Sequence, residues 1–293
     1  MLKRIEAGQL EVAYEQSGPN DGEPVILCHG FPYDVRAYDE VAAILADGGC
    51  NVIVPYLRGF GPTRLLSERT PRSGQQAVLG HDLLALMDAL DILRAALAGY
   101  DWGGRAACIV AALWPERVRC LVSQGGYNVQ DISGSLAPRA PEIEYRAWYQ
   151  YYFLSERGRK GLEKNRREFC RLLWRLWSPN WHFDHETYER TAMSFDNPDF
   201  VDVVIHSYRH RFGLLAGDPA VQDTEDRLTT RPQISVPTIA LDGGSSGLRG
   251  SRNTGGRSHF FTGKYEHREI PFAGHNLPQA APREFADAIL SLK

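Results

Sequence analysis

Short apolar runs alternate with segments of helical periodicity over the first 130 residues and again near the end of the chain. PVILCHG (24–30), NVIVPYL (51–57), AALAGYD (95–101) and RCLVSQG (119–125) are apolar without polar alternation, the mark of strands buried on both faces. Between them, YDEVAAILADGG (38–49) and HDLLALMDALDIL (81–93) space their apolar residues as helices do, and Gly48 and Gly49 supply a stop signal. TIALDG (238–243) and YEHREIPFAG (265–274) repeat the strand pattern, and PREFADAILSLK (282–293) predicts a closing helix. Strands alternating with helices predict an α/β class with a mostly parallel, doubly wound sheet.

Residues 131–227 break this rhythm. They are rich in tryptophan and tyrosine and read mostly as helix, so the chain divides into a first core part (1–130), a helical insert (131–227) and a second core part (228–293). Within the insert, RGRKGLEKNRREFCRLLWRLW (157–177) is strongly basic. Leu172, Leu173, Leu176 and Trp177 keep helical spacing opposite the charges, which predicts an amphipathic helix with a solvated face. GGSSGLRGSRNTGGRS (243–258) reads as a mobile loop.

Composition narrows the choice of partner. The 293 residues hold 33 Lys and Arg against 36 Asp and Glu, for a net charge of −3. That balance argues against nucleic acid or an anionic membrane surface as the partner. No apolar run approaches the roughly 20 residues of a membrane-spanning helix, and the first residues, MLKRIEAGQLEVAYEQSG, carry no secretory signal pattern. The five cysteines are scattered without a CxxC pair, which fits a reducing cytoplasm and gives no zinc site. With no metal constellation and no phosphate loop, the expected chemistry needs no cofactor. A monomer or homodimer is expected.

Three motifs carry that chemistry. In AGYDWGGR (98–105), a predicted strand runs into Asp101 and a helix follows at once, with Gly99 and Gly103 flanking it. Small neighbours allow the sharp strand-to-helix turn of a nucleophile elbow, with Asp where Ser is commoner, and a helix N-terminus favours an anionic side chain. HGFP (29–32) follows the strand PVILC; the N–H groups of Phe31 and Trp102 are expected to converge on the elbow as an oxyanion hole, with His29 and Pro32 at the substrate. In GHNLP (274–278), His275 follows the last predicted strand, in chain order after the elbow, as a general base would.

These residues resemble the α/β-hydrolase superfamily along the whole chain, and an Asp nucleophile resembles its branch of epoxide hydrolases, haloalkane dehalogenases and fluoroacetate dehalogenases. PYLRGFGPT (55–63) is similar to that branch too, with Tyr56 where Asp is more usual. Haloalkane dehalogenases carry Asn after the HG, where this chain has Phe31; fluoroacetate dehalogenases carry Arg after the nucleophile and again three residues on, where this chain has Trp102 and Arg105. HGFP and DWGG together are most similar to epoxide hydrolases. The resemblance implies two cap tyrosines that donate to the epoxide oxygen: Tyr149 in WYQYYF (148–153), beside Trp148 as a substrate contact, and Tyr208 in HSYRHRF (206–212).

One part of the pattern is missing. The acid that orients the histidine normally follows the strand TIAL, where this chain has Ser246, or the preceding strand, where it has Gly125. Asp242 is the nearest replacement, with Asp131 and Asn128 as further candidates. The resemblance therefore implies a hydrolase opening small apolar epoxides to diols, with ester hydrolysis impaired. Dehalogenation of haloalkanes or haloacids, or a weakened fold that binds small ligands, are the alternatives.

Overall fold

The computed structural model describes residues 2–248 and 254–292. Part of the glycine- and serine-rich stretch, residues 249–253, lies outside the described residues, so the mobile-loop expectation for 243–258 falls partly there.

Nine strands form one sheet: β1 (Leu2–Ala7), β2 (Leu10–Ser17), β3 (Glu23–Cys28), β4 (Cys50–Pro55), β5 (Arg64–Leu65), β6 (Ala95–Gly99), β7 (Val118–Gln124), β8 (Thr238–Gly243) and β9 (Tyr265–Ile270). Their order is β1-β2-β4-β3-β6-β7-β8-β9, with β5 on β2. From β4 to β9 every pairing is parallel; β1, β2 and β5 are antiparallel additions. The N-terminal hairpin carries no continuous apolar run: β1 exposes most of its length and β2 buries Leu10, Val12, Ala13 and Tyr14 among half-exposed polar neighbours. That is how the outer hairpin differs from the doubly covered strands β3 and β6.

Helices α1 (Asp39–Asp47) and α11 (Pro282–Leu290) pack on one another, as do α2 (Gln76–Ala89) and α3 (Asp101–Leu113), giving the two helical layers of a doubly wound sheet. Periodicity places the second helix at 81–93, whereas α2 starts at Gln76 and ends before Asp91, whose φ is +55°. The early start depends on a partner far along the chain: Glu225 accepts at 3.2 Å from the Ala77 N–H, a donor that the first helical turn leaves open, and at 2.8 Å from the Gln76 side-chain Nε2.

Between β7 and β8 the chain forms α4 (Pro141–Arg146), α5 (Trp148–Leu154), α6 (Glu156–Trp177), α7 (His185–Ala192) and α8 (Phe200–Arg211), then α9 (Gln222–Thr229), which packs against α2. Helix α10 (Leu277–Ala280) follows the last strand. In α6 the buried stripe is Leu162, Cys170, Leu173, Trp174 and Trp177; Leu172 and Leu176 are exposed, correcting the face read from the sequence. Two buried ties hold the inserted helices to the segment after β3. Trp174 Nε1 donates to the Pro32 carbonyl at 2.7 Å. Asp34 accepts from Thr191 Oγ1 at 2.9 Å and Ser194 Oγ at 2.6 Å.

Among the described residues no helix is long and apolar enough to cross a membrane.

Candidate active site

The parallel strands β3, β6 and β9 all end on the same side of the sheet, where ligands of open α/β sheets bind. The loops leaving these ends carry HGFP, Asp101 and His275. Asp101 opens α3 with φ +50°, a left-handed conformation unusual for a residue with a side chain. Such strain persists only where the surroundings impose it. They do so here: a Cβ on Gly30 would overlap the Asp101 side chain, and one on Gly103 would overlap the Cys28 carbonyl. The elbow therefore forms where β3, β6 and α3 come too close together for larger residues.

The Phe31 N–H donates to Asp101 Oδ1 at 2.9 Å. The Trp102 N–H, the other expected donor, is not hydrogen-bonded to that carboxylate in this arrangement. His275 Nε2 lies 3.9 Å from Asp101 Oδ2. The His275 backbone is pinned on two sides: its N–H donates to the Trp177 carbonyl at 3.1 Å, and its carbonyl accepts from Gln124 Nε2 at 2.6 Å. The Trp177 ring meets its imidazole edge-on at 4.9 Å between centroids.

Tyr149 on α5 and Tyr208 on α8 are both buried, with ring centroids 5.5 Å apart. Burial pushes the Tyr149 hydroxyl above the ordinary phenol range and Tyr208 well above it, so both stay proton donors. The Tyr208 ring packs on Phe31 at 5.8 Å between centroids, and Tyr149 lines the same cavity as Asp101. The structure thus brings together Asp101, Phe31, His275, Tyr149 and Tyr208, with Trp102 stacked 5.9 Å from Phe31.

The three predicted substrate contacts each have partners within the protein. His29 bridges backbone: Nδ1 lies 3.1 Å from the Gly30 carbonyl, and Nε2 accepts from the Leu57 N–H at 3.1 Å. Burial lowers its pKa to about 4, the neutral ring this double role requires. The Pro32 carbonyl is taken by Trp174. Trp148 packs on Phe169 and Tyr152, because successive helical residues do not share a face and Tyr149 takes the inward one.

The acid candidates are each engaged. Asp242 pairs with His267 Nε2 at 2.8 Å. Asp131 accepts from Ser133 Oγ and the Gly134 N–H and lies 3.5 Å from Arg231. Asn128 donates to Ser123 Oγ and the Gln124 carbonyl. Ser246 is buried.

A cavity of about 750 Å³ opens on Asp101 and Tyr149, and its walls depart from the expected apolar pocket. Arg105, Arg139, Arg211, Arg231 and Arg257 all line it, and its apolar part includes Val129, Ile143, Phe212 and Leu248. The sequence reading missed Arg211, although its place three positions after Tyr208 puts it on the same helix face.

With this geometry and the sheet order, the class is defined. A family model described as the alpha/beta hydrolase fold matches residues 23–277, and the chain belongs to that family. A solved protein of Klebsiella pneumoniae subsp. pneumoniae, described as a "putative epoxide hydrolase", is 46% identical, covering 99% of this chain and 96% of that one, with a TM-score of 0.97. A haloalkane dehalogenase of Psychrobacter cryohalolentis is 34% identical over 117 residues, 40% of this chain and 38% of that protein. Epoxide hydrolase 3 of Siraitia grosvenorii is 32% identical over 124 residues, 42% of this chain and 36% of that protein. The matched stretch spans well under half the length of these two curated relatives.

Proposed function

We propose that the chain is a cofactor-free hydrolase that opens epoxides to diols through an alkyl ester on Asp101, with the helices α4–α8 acting as a cap over the site. The observation that carries this reading is one strained carboxylate that accepts from a backbone N–H and lies 3.9 Å from an imidazole, with two buried phenols beside it, Tyr208 on the Phe31 ring and Tyr149 on the same cavity wall. An Asp101 oxygen attacks a ring carbon, the C–O bond breaks, and the alkoxide takes a proton from Tyr149 or Tyr208. Ester formation neutralises Asp101. His275 then takes a proton from water as its oxygen adds to the ester carbonyl, and the Phe31 N–H supports the oxyanion. Collapse releases the second oxygen of the diol, which takes the proton of the new carboxylic acid, while the imidazolium returns its proton to the phenolate, so that carboxylate, phenol and neutral imidazole are all restored. Ester hydrolysis is the half-reaction in which Ser246 and Gly125, uncharged where the family carries an acid, would be felt.

Intact-protein mass after brief incubation with styrene oxide, with diol followed in parallel, tests this. An adduct mapping to Asp101 that decays into diol supports the proposal. Neither adduct nor diol across several epoxides overturns it. One observation favours a second reading: Trp102 Nε1 is buried without a hydrogen-bond partner among the described residues, a donor a departing halide could use. Halide release from haloalkanes or haloacids, without diol from epoxides, would select dehalogenation.

A further inference from the structure

The proposed reaction draws its proton from either cap phenol, yet the two phenols stand in different surroundings. Tyr149 and Gln150 follow one another on α5 and both are buried, at 2% and 7% exposure. A side-chain amide shut away among aromatic rings costs stability unless its polar atoms are bonded. Gln150 Nε2 donates to the Tyr149 hydroxyl oxygen at 3.1 Å, and the Gln150 backbone N–H is held by the Ala147 carbonyl at 2.8 Å. Both residues line the cavity that opens on Asp101. A phenol has one proton to donate and lone pairs that accept. With its oxygen engaged by the amide, the Tyr149 O–H donates to no protein group among the described residues. Tyr208 has no amide donating to its hydroxyl among the described residues; its ring packs on Phe31 at 5.8 Å and lies under the Arg211 guanidinium at 4.9 Å.

This asymmetry decides which proton is available. We propose that Gln150 is a positioning residue for ring opening: its amide N–H leaves the Tyr149 O–H aimed at the epoxide oxygen and makes Tyr149 the phenol that gives up its proton. This deepens the proposed function and rests on it. As an Asp101 oxygen bonds to a ring carbon and the ring C–O bond breaks, the alkoxide takes the Tyr149 proton. The electron pair of that O–H bond stays on Tyr149 as a phenolate, and the Gln150 N–H then donates to an anion, which is the stronger kind of hydrogen bond. An interaction that strengthens as the proton leaves lowers the barrier without tightening substrate binding. Tyr208 keeps its proton and holds the epoxide oxygen by a hydrogen bond. Burial raises both phenols. At Tyr149 the Arg211 charge and the Gln150 bond oppose the rise, while Tyr208 goes well above the ordinary range, with Tyr149 and Asp101 adding to it. The same amide turned over would accept from Tyr149 and hold its proton away from the substrate, so the direction of this one bond sets the role.

Rapid-mixing rates of adduct formation with styrene oxide, read by intact mass, test this. Gln150→Met keeps the size and removes the donor; it should slow adduct formation roughly tenfold to a hundredfold, at an unchanged half-saturating epoxide concentration. Tyr149→Phe should cost more than Tyr208→Phe. Gln150→Met should add nothing further in a Tyr149→Phe background and keep its full effect in a Tyr208→Phe background, a split that loosened packing would not give. Gln150→Glu places an acceptor beside the phenol. At high pH its rate should be no faster than that of Gln150→Met; relative to Gln150→Met it should recover as pH falls and the new carboxyl gains a proton to donate. Thermal unfolding shows which variants fold, and Gln150→Glu carries the test should Gln150→Met fail to fold. If the native chain forms adduct but Gln150→Met stays within about twofold of it, or slows equally in both tyrosine backgrounds, the positioning role is overturned and the hydrolase reading stands. A Tyr208→Phe variant slower than Tyr149→Phe, or a Gln150→Glu profile parallel to that of Gln150→Met, overturns the role in the same way. Neither adduct nor diol from the native chain overturns both.

Discussion

The Phe31 N–H reaches across 70 positions of chain to donate to Asp101 Oδ1 at 2.9 Å, and Gly30, its neighbour, is where the backbone passes too close to Asp101 for any side chain. The two facts are one arrangement: the donor can reach the carboxylate only because glycine precedes it. Gly30→Ala should therefore damage the chemistry as well as the fold. We expect a loss of about 1–3 kcal/mol in stability from overpacking and a fall of roughly 10²-fold in adduct formation as the oxyanion donor shifts. Asp101→Ala should form no adduct at all. Stopped incubations read by intact mass, with urea unfolding in parallel, check both; an unchanged adduct rate in Gly30→Ala would mean that the Phe31 donor is idle.

Tyr149→Phe and Tyr208→Phe should each slow ring opening, and the double variant should lose roughly 10²–10⁴-fold, the range for a positioned acid. Burial raises both phenols, so neither should ionise near its ordinary value of 10. Adduct formation followed by rapid mixing should thus show no falling limb up to pH 10. A limb centred at or below 10 that is absent from the double variant would show the donors to be ordinary phenols.

The motifs that were legible in the sequence are the local ones. A strand, a small-flanked Asp and a helix specify the elbow within eight residues, so Asp101 needed no tertiary knowledge, and His275 followed from its place after the last strand. What escaped depends on contacts between distant segments. The start of α2 is set by Glu225 from another part of the chain. His29 looks like a site residue in a motif, yet the fold gives both its nitrogens to backbone. Trp148 and Tyr149 are neighbours in sequence, and only the helix phase decides which faces inward. The cationic wall stayed hidden because its arginines belong to separate segments, and only the fold brings Arg105, Arg139, Arg211, Arg231 and Arg257 to one cavity.

Asp34 and His29 give opposite pH dependences that can be separated. Burial raises the Asp34 carboxyl from 3.8 to about 6, against the opposing hydrogen bonds from Ser194 and Thr191. The folded state thus holds a proton that the unfolded chain has lost. Stability from this group is fully present below about 3.8 and is lost as pH rises through about 6, a swing of about 3 kcal/mol. His29 runs the other way: its pKa falls from 6.5 to about 4, so its contribution is present above 6.5 and is lost as pH falls toward 4. In the native chain these slopes oppose one another between pH 4 and 6. Asp34→Asn removes one of them, so its stability relative to the native chain should rise with pH across that window and level off near neutrality. Urea midpoints for both proteins at half-unit pH steps give the difference directly, with all other titrating groups cancelling. Parallel curves would mean that Asp34 is not held protonated between cap and core.

Ser246→Asp offers the sharpest test of the second half-reaction. Ser246 is buried after β8, at the position where the resemblance expects the acid, and a carboxylate there would favour the imidazolium that forms as His275 takes its proton from water. In the proposed reaction alkylation uses Asp101 and the tyrosines and does not require that charge. The substitution should therefore leave the rate of adduct formation within about twofold and raise the rate of adduct decay roughly tenfold or more, an amount set by about 1.4 kcal/mol of added stabilisation. Burying a new carboxylate has a cost, so thermal unfolding of the variant is recorded first, and a fall of a few degrees is expected. Single-turnover mass kinetics then separate the two rates. Faster decay at unchanged alkylation places the missing charge at residue 246; decay unchanged in a folded variant means that another group already performs that task.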